Sequence, residues 1–489
     1  LIDGRSIYTP LQAGVYWDQQ HVMLADIERI EVISGPGATL WGANAVNGVI
    51  NIISKKARDT QGGLVTAGGG ARERSGALRY GSQRGDAHYR VYLKADDDAA
   101  SVDRDGHETQ DAWRVWRTGF RTDWQPSDAD LFTLQGDLYR GEQNAVGMAT
   151  SLTPPYFRTF PDEEQFAGGN LLGRWNHTLD ERSRWSLQLY YDRVDYTNPL
   201  LAIEADTFDI DFQHEFAVGS RHTLVYGAGF RYMQAGYADS FFVSYPRNHD
   251  SSGLANAFLQ DEIALVKDTL SLSIGSKLEH NEFSGWELQP SARLRWTPDR
   301  AHSAWAGVSR AVRTPNPLES DVRANYMAYD TDGPGPTPTT LFSLLPNADL
   351  RSETLVAYEA GYRFESSRGL YLDLAAFINV YDDLVAIDDA GVMLETDPAP
   401  THLTLASRYG NVMRGDTRGI EVAPSWQVTA SWKLAGGYTW LQMKLDSAAA
   451  GQAGEEQADD SPAHQFHLRS SLQWRHNFSF DTAVYYVDS

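Results

Sequence analysis

The chain of 489 residues carries 42 Lys and Arg against 65 Asp and Glu, a formal net charge of −23, and contains no cysteine. That excludes disulfide frameworks, thiolate metal sites, iron–sulfur clusters and a cysteine nucleophile, and the acidity argues against a nucleic-acid partner. Mean hydropathy is −0.43, and no uncharged apolar run reaches the ~18 residues that a spanning helix needs. The 14 Trp, 24 Tyr, 19 Phe and 42 Gly fit a large β-protein instead.

The chain begins at Leu1 with no charged-then-apolar leader. Its last residues, Thr482 to Ser489, break off within a strand-like rhythm, so the expectation is a fragment cut at both ends. Residues 1–60 mix short strands with Gly-rich turns. Between them, Tyr8 to Met23 is rich in aromatic and hydrogen-bonding groups. Ile30 and Val32 alternate with Glu31 and Ile33, which predicts a short, mostly buried strand. Gly35-Pro36-Gly37 predicts a tight turn, because Pro fixes φ and Gly supplies positive φ. Asn47-Gly48 reads as a hairpin signal leading into Val49-Ile50-Asn51-Ile52-Ile53. The glycines lack a following Gly-Lys-Ser/Thr, and an apolar strand is expected where a phosphate-binding helix would begin, so a phosphate loop is rejected.

From about residue 62 the pattern becomes monotonous. Leu270, Leu272, Ile274 and Leu278 share one face against Ser271, Ser273, Lys277 and Glu279. Leu288, Ala292, Leu294 and Trp296 oppose Gln289, Arg293 and Arg295 in the same way. Such period-two alternation gives each strand one apolar and one polar face. Connections alternate in length. Short ones fall at 81–86, 125–130, 180–183, 266–268, 298–301, 366–369 and 475–477, and long ones at 95–111, 141–165, 235–253, 310–352, 381–415 and 445–463. That parity predicts an up-and-down meander, the layout of an outer-membrane barrel, rather than a Greek-key sandwich. About nineteen strands of roughly 9–11 residues are expected. Because an even count is usual, three more are expected beyond the C-terminus.

Several stretches then resemble one family, in its order along the chain. Residues 27–56, with Gly35-Pro36-Gly37-Ala38-Thr39-Leu40-Trp41-Gly42-Ala43-Asn44-Ala45-Val46-Asn47-Gly48-Val49-Ile50-Asn51-Ile52, resemble the second half of the plug domain of TonB-dependent outer-membrane receptors. Leu1-Ile2-Asp3-Gly4-Arg5 is similar to an inner strand of that plug. Ser309-Arg310-Ala311-Val312-Arg313-Thr314-Pro315, Pro346 to Thr354, Tyr358-Glu359-Ala360-Gly361-Tyr362 and Thr417-Arg418-Gly419-Ile420-Glu421 resemble its barrel elements. The resemblance implies an all-β, transmembrane antiparallel β-barrel of the 22-stranded type, incomplete here, with an N-terminal plug in the lumen. Residues 1–60 would be the C-terminal part of the plug and 61–489 the barrel.

The resemblance also implies a monomer in the outer membrane of a Gram-negative bacterium, surrounded by lipid and driven by a TonB-type energy-coupling protein of the inner membrane. It would take up a scarce small molecule, with a ferric siderophore or similar metal chelate first and cobalamin second. A passive porin and a surface-binding receptor without import are the alternatives from other classes. No enzyme motif, resident metal or cofactor is expected. His21 and Met23 are of the types that ligate haem iron or copper, but 314–350 contains no histidine, which counts against haem. Asp330, Asp332 and Gly333 resemble only part of a calcium loop. The acidic run Asp96-Asp97-Asp98, Asp103, Asp105 and Glu108 reads as an exposed loop.

Candidate substrate-contacting residues are Tyr8, Tyr16, Trp17, Asp18 and His21 at the plug apex and Tyr326 and Tyr329 in a long loop, with Tyr156, Phe157 and Phe160 as further loop aromatics. Alternation points Glu359 and Glu421 into the lumen, where a carboxylate must be hydrated or paired. The resemblance implies Arg29 of the plug as their partner, a lock between plug and barrel.

Overall fold

The structure, a computed structural model, describes residues 1–9, 11–245, 249–330, 338–448, 461–475 and 477–488. Among the described residues, 22 strands form one closed, almost entirely antiparallel barrel sheet, and the strands Ile27–Ser34 and Gly48–Ser54 form a second sheet of their own. Three of the barrel sheet's strands are short additions in the long connections: Val243–Ser244, Arg323–Tyr329 and Thr339–Leu345. The other nineteen make the wall. Residue-by-residue antiparallel registers join each wall strand to the next, from Gly62–Gly69 to Phe478–Val487. In the closed order these two end strands are neighbours.

Wall strands form because their alternation satisfies two solvents at once. Along Gly285–Trp296, Glu287 and Gln289 are buried toward the lumen while Leu288, Leu294 and Trp296 are exposed on the outer surface. Along Leu270–Asn281, Lys277 and Glu279 are buried inward while Ile274 and Leu278 face out. Backbone groups pair between successive wall strands with few irregularities, the condition for crossing hydrocarbon. On the outer surface near the short turns, Trp124, Phe132, Trp175, Trp185, Phe212 and Tyr226 follow one another with ring centroids 4.5–6.2 Å apart. Such a girdle marks a membrane–water interface. The short turns are tight, and Gly369 at φ +75° leaves no room for a Cβ, which would lie 2.9 Å from Gln427.

Two expectations about the connections change. The stretches 141–165 and 381–415, read as loops, are mostly strand. Asp130–Thr150 pairs with Phe157–Asp180 up to Thr150 and Phe157, and Leu370–Glu395 pairs with His402–Thr429 up to Glu395 and His402. Above the lipid both faces of a strand are wet, so the polarity rhythm fades while backbone pairing continues. Thr339–Leu345 joins the second of these extended hairpins by parallel pairing with residues 402–408.

The plug differs from expectation in three respects. Asn47-Gly48 is not a two-residue turn: a longer connection joins the two plug strands, and Gly48 opens the second. One helical turn, Ala38–Trp41, follows the glycines where strand was expected. Ile27–Ser34 is not mostly buried, since Ile30 and Val32 are exposed. Among the described residues that strand has a single partner strand, so its other edge is unpaired.

Candidate functional site: the plug seat and its apex

The plug is tied to the wall by charges that sequence reasoning passed over. Asp3 is buried at the centre. Its Oδ1 accepts from the Ser54 backbone N–H at 2.9 Å, and its Oδ2 from Ser54 Oγ at 2.7 Å and from Gln135 Nε2 of the wall at 2.9 Å. Arg121 Nη1 lies 3.9 Å from the same oxygen and donates to Ser54 Oγ at 2.9 Å. Arg174 donates to the Asp3 carbonyl, and Arg5 pairs with Asp192. Asp26, 4% exposed, holds Arg79 and, at 3.2 Å, Arg90 Nε. Arg90 also donates to the Lys55 carbonyl, and Arg117 Nη2 donates to the Gln19 carbonyl at 2.7 Å. In return, Asp123 of the wall accepts the Ala57 N–H at 2.6 Å. On the far side of the lumen, Asn44 N–H donates to the Val312 carbonyl at 2.8 Å and Lys277 Nζ to the Leu40 carbonyl at 3.2 Å.

The signal for this seam was present in the sequence. Arg117 and Arg121 sit four apart on one strand, with Asp123 on the same face. Charges that share parity with lumen residues must find partners inside. The expected lock has a different shape. Arg29 is exposed and pairs with its own neighbours, Glu31 at 2.7 Å and Glu28 at 3.4 Å. Glu359 pairs with Arg293 of the wall at 3.6 Å, and Glu421 is exposed. Arg29 is solvated and meets acids one and two residues away, so it needs no wall partner. Glu359 nonetheless abuts the plug. A Cβ on Gly35, at φ +79°, would lie 2.3 Å from its Oε1. The Gly35 turn, not Arg29, is the plug's contact with that carboxylate.

At the apex, the turn Trp17–Gln19 is presented by a stack of Tyr16 on Tyr196 of the wall, with centroids 5.6 Å apart and planes 10° from parallel. Burial, then Asp18 and Glu164, raises the Tyr16 hydroxyl above its usual range. Trp17 is 55% exposed, and Tyr8 and Asp18 are exposed beside it. Crowding by plug and wall raises the Asp18 carboxyl, against its own backbone N–H and His21. His21 lies 3.6 Å from Asp96 Oδ2, and its ring centroid is 4.9 Å from that of Trp113. Burial and then Lys94 lower its pKa, against the pull of Asp96. Met23 is buried in the core, so His21 and Met23 do not form a ligand pair at the apex.

Above the apex, Leu11 enters an apolar cluster with Ile203, Ala205, Ala235, Tyr237, Val243, Tyr245 and Val322. The Leu318 N–H donates to the Leu11 carbonyl at 3.0 Å. Tyr326 and Tyr329 belong to the loop sheet instead, their rings 6.2 and 5.6 Å from Phe342. Tyr156 donates to Asp330 Oδ2 at 3.3 Å. The rest of the supposed calcium loop, Asp332 and Gly333, lies outside the described residues. Asp103, Asp105 and His107 lie together but exposed. Asp103 Oδ1 there accepts the N–H groups of Asp105 and His107, both at 2.9 Å, which makes it the stitch of an ordinary turn.

A lipid-facing barrel whose lumen holds a charge-stitched plug, with an aromatic apex at the long-loop end, is a plugged transport barrel. A family model described as TonB dependent receptor-like, beta-barrel matches residues 57–489, and one described as TonB-dependent Receptor Plug Domain matches residues 1–49. The chain belongs to the TonB-dependent receptor family. It is 24% identical over 92% of its length to the Iron-regulated outer membrane virulence protein of Vibrio cholerae, and 23% identical over 79% to the Ferric enterobactin receptor of Pseudomonas aeruginosa. It spans 67% and 60% of those proteins. The crystal structure of the siderophore receptor PirA from Pseudomonas aeruginosa superposes with a TM-score of 0.72 at 18% identity, covering 99% of this chain and 82% of that one.

Proposed function

We propose that the protein is a receptor of the outer membrane that binds a metal chelate, a ferric siderophore or a close analogue, and imports it when a TonB-type partner acts on the plug. The observation that carries the reading is the seat of the plug. Asp3, Arg5 and Asp26 of the plug are engaged by the wall, while its aromatic apex remains open toward the long connections. A concave surface with aromatic walls and few polar groups suits a compact chelate. The named relatives, an iron-regulated protein and a ferric enterobactin receptor, point to the same cargo class. No catalytic step enters the reading.

The chain's own residues divide the work. Tyr16 and Trp17 offer stacking surface, and His21 and Asp18 offer hydrogen bonds. The seam at Asp3, Arg5 and Asp26 keeps the lumen shut until force is applied. The test is accumulation of radiolabelled ferric chelates by cells producing the receptor, with and without the energy-coupling partner. Accumulation that depends on the partner supports the reading. Equal accumulation without it makes the protein a passive pore, and binding without accumulation makes it a surface receptor.

A further inference from the structure

A groove of about 570 Å³ opens on the lipid-facing side of the wall, away from the plug and its apex. It forms because Ala167 and Gly169 carry almost no side chain on the outer face of Phe157–Asp180, while longer side chains stand on both neighbouring strands. Leu138 and Arg140 of Asp130–Thr150 line one side, and Tyr191 and Arg193 of Ser183–Thr197 the other. Leu171 closes the end nearer the membrane centre. Register places Arg140 opposite Ala167, and Gly169 between Leu138 and Arg193.

The girdle at the short turns fixes the height of the groove. Arg140 stands eight residues above Phe132, and Arg193 eight above Trp185, both of them girdle residues. Eight residues at about 3.4 Å each, tilted by about 40°, climb about 20 Å, close to the height of the apolar band. The outward residues between, Leu134 and Leu138 on one strand and Leu187 and Leu189 on the other, are apolar. The floor of the groove therefore lies among acyl chains, and Arg140 lies at the headgroups of the leaflet on the long-connection side. Exposed Trp116, its partner in register, suits the same depth.

The charges on the rim are not equivalent. Arg193 is 2.8 Å from Asp195, 3.2 Å from Asp206 and 3.5 Å from Glu204. Glu142, two residues from Arg140, is held by Arg114 at 3.6 Å, and Glu163 accepts from Gln165 at 3.0 Å. Asp195 is two strand spacings, about 10 Å, from the Arg140 strand. Among the described residues, no ion pair or hydrogen bond engages the Arg140 guanidinium, although it is exposed. One molecule supplies both its missing anion and a filling for the apolar floor. It is a lipid whose phosphate accepts from Arg140 and whose acyl chain lies along Ala167 and Gly169.

We propose that this groove is a specific site for a phosphate-bearing lipid of the outer leaflet, with Arg140 holding the phosphate. The site is separate from the cargo path and stands whatever the cargo is.

The experiment is native mass spectrometry of the purified receptor in neutral detergent. It is titrated with dioleoyl phosphatidic acid or with dioleoyl glycerol, which differs only in lacking the phosphate. One phosphatidic acid should bind at least about tenfold tighter than the diacylglycerol. Arg140→Gln should remove that preference, whereas Arg74→Gln, which alters an exposed cation outside the groove, should leave it intact. Ala167→Leu fills the floor and should weaken both lipids at least about fivefold. Unchanged thermal unfolding shows that each variant is folded, and Arg140→Gln decides the matter alone if Ala167→Leu is not. Equal binding of the two lipids, equal losses from Arg74→Gln and Arg140→Gln, or a folded Ala167→Leu that binds as the wild type does would overturn the proposal. So would full displacement of the lipid by an equal concentration of inorganic phosphate, which would make the groove a site for free anions.

Discussion

Asp26 is the most demanding test of how the plug is held. Its carboxylate is 4% exposed and faces two guanidiniums, Arg79 and Arg90, that come from neighbouring wall strands. Asp26→Asn keeps the size of the side chain and removes the charge, leaving both arginines buried without their counter-ion. Breaking one partner of a buried pair costs about 3–5 kcal/mol. Because the wall strands are independently paired, that loss falls on the docking of the plug and not on the barrel. At about 1.4 kcal/mol per tenfold, plug amides should exchange at least about 100-fold faster. The informative amides are Ile52 and Lys55, whose N–H groups donate to the Leu1 and Asp26 carbonyls at 2.9 and 2.8 Å. Hydrogen exchange followed by mass spectrometry reads plug and wall separately. Adding Arg90→Met to Asp26→Asn should recover part of the loss, because it removes one of the stranded charges. Plug amides within about twofold of the wild type, or a loss spread equally over the wall, would refute the reasoning.

Arg29→Ala should leave plug exchange and thermal unfolding unchanged, since Arg29 is exposed and bonded only to Glu28 and Glu31; a loosened plug would restore the expected lock. Gly35→Ala should loosen the plug by about 1–3 kcal/mol from the positive φ alone, with an added clash on Glu359 that Glu359→Ala relieves only in part; exchange of Asn47 to Ile50 measures both. Trp17→Ala should abolish most ligand-induced quenching without lowering the melting temperature, because the side chain is largely exposed. His21 has a folded-state pKa lowered by burial from an ordinary value of 6.5. Its contribution is therefore complete above that value and lost as pH falls through the lowered one. Once the intrinsic slowing of amide exchange by acid is divided out, plug opening should rise between neutral pH and pH ~5, and His21→Asn should flatten the rise.

How much was legible depended on what each residue had to satisfy. Strand existence, the inward parity of Glu359 and the short-turn rim are consequences of the two-residue polarity rhythm, and lipid on one side and water on the other enforce that rhythm locally. Where lipid ends, the rhythm ends. So the extended hairpins around residues 150–157 and 395–402 read as loops, although their backbones stay paired. The plug motif named the family from residue identities alone.

Partners across the lumen were a different matter. Several arginines of the wall strands point inward, and sequence parity says only that each needs a carboxylate. Whether Arg121 finds Asp3, Arg90 finds Asp26 or Arg29 finds Glu359 depends on how the plug is rotated and seated, which is a property of distances between residues far apart in the chain. The sequence therefore determined a lipid-facing β-barrel with a stopper and an aromatic apex. Only the tertiary structure decided that the stopper is held by Asp3, Arg5 and Asp26 and not by Arg29, because an ion pair forms between whichever charges the packing leaves closest and least hydrated.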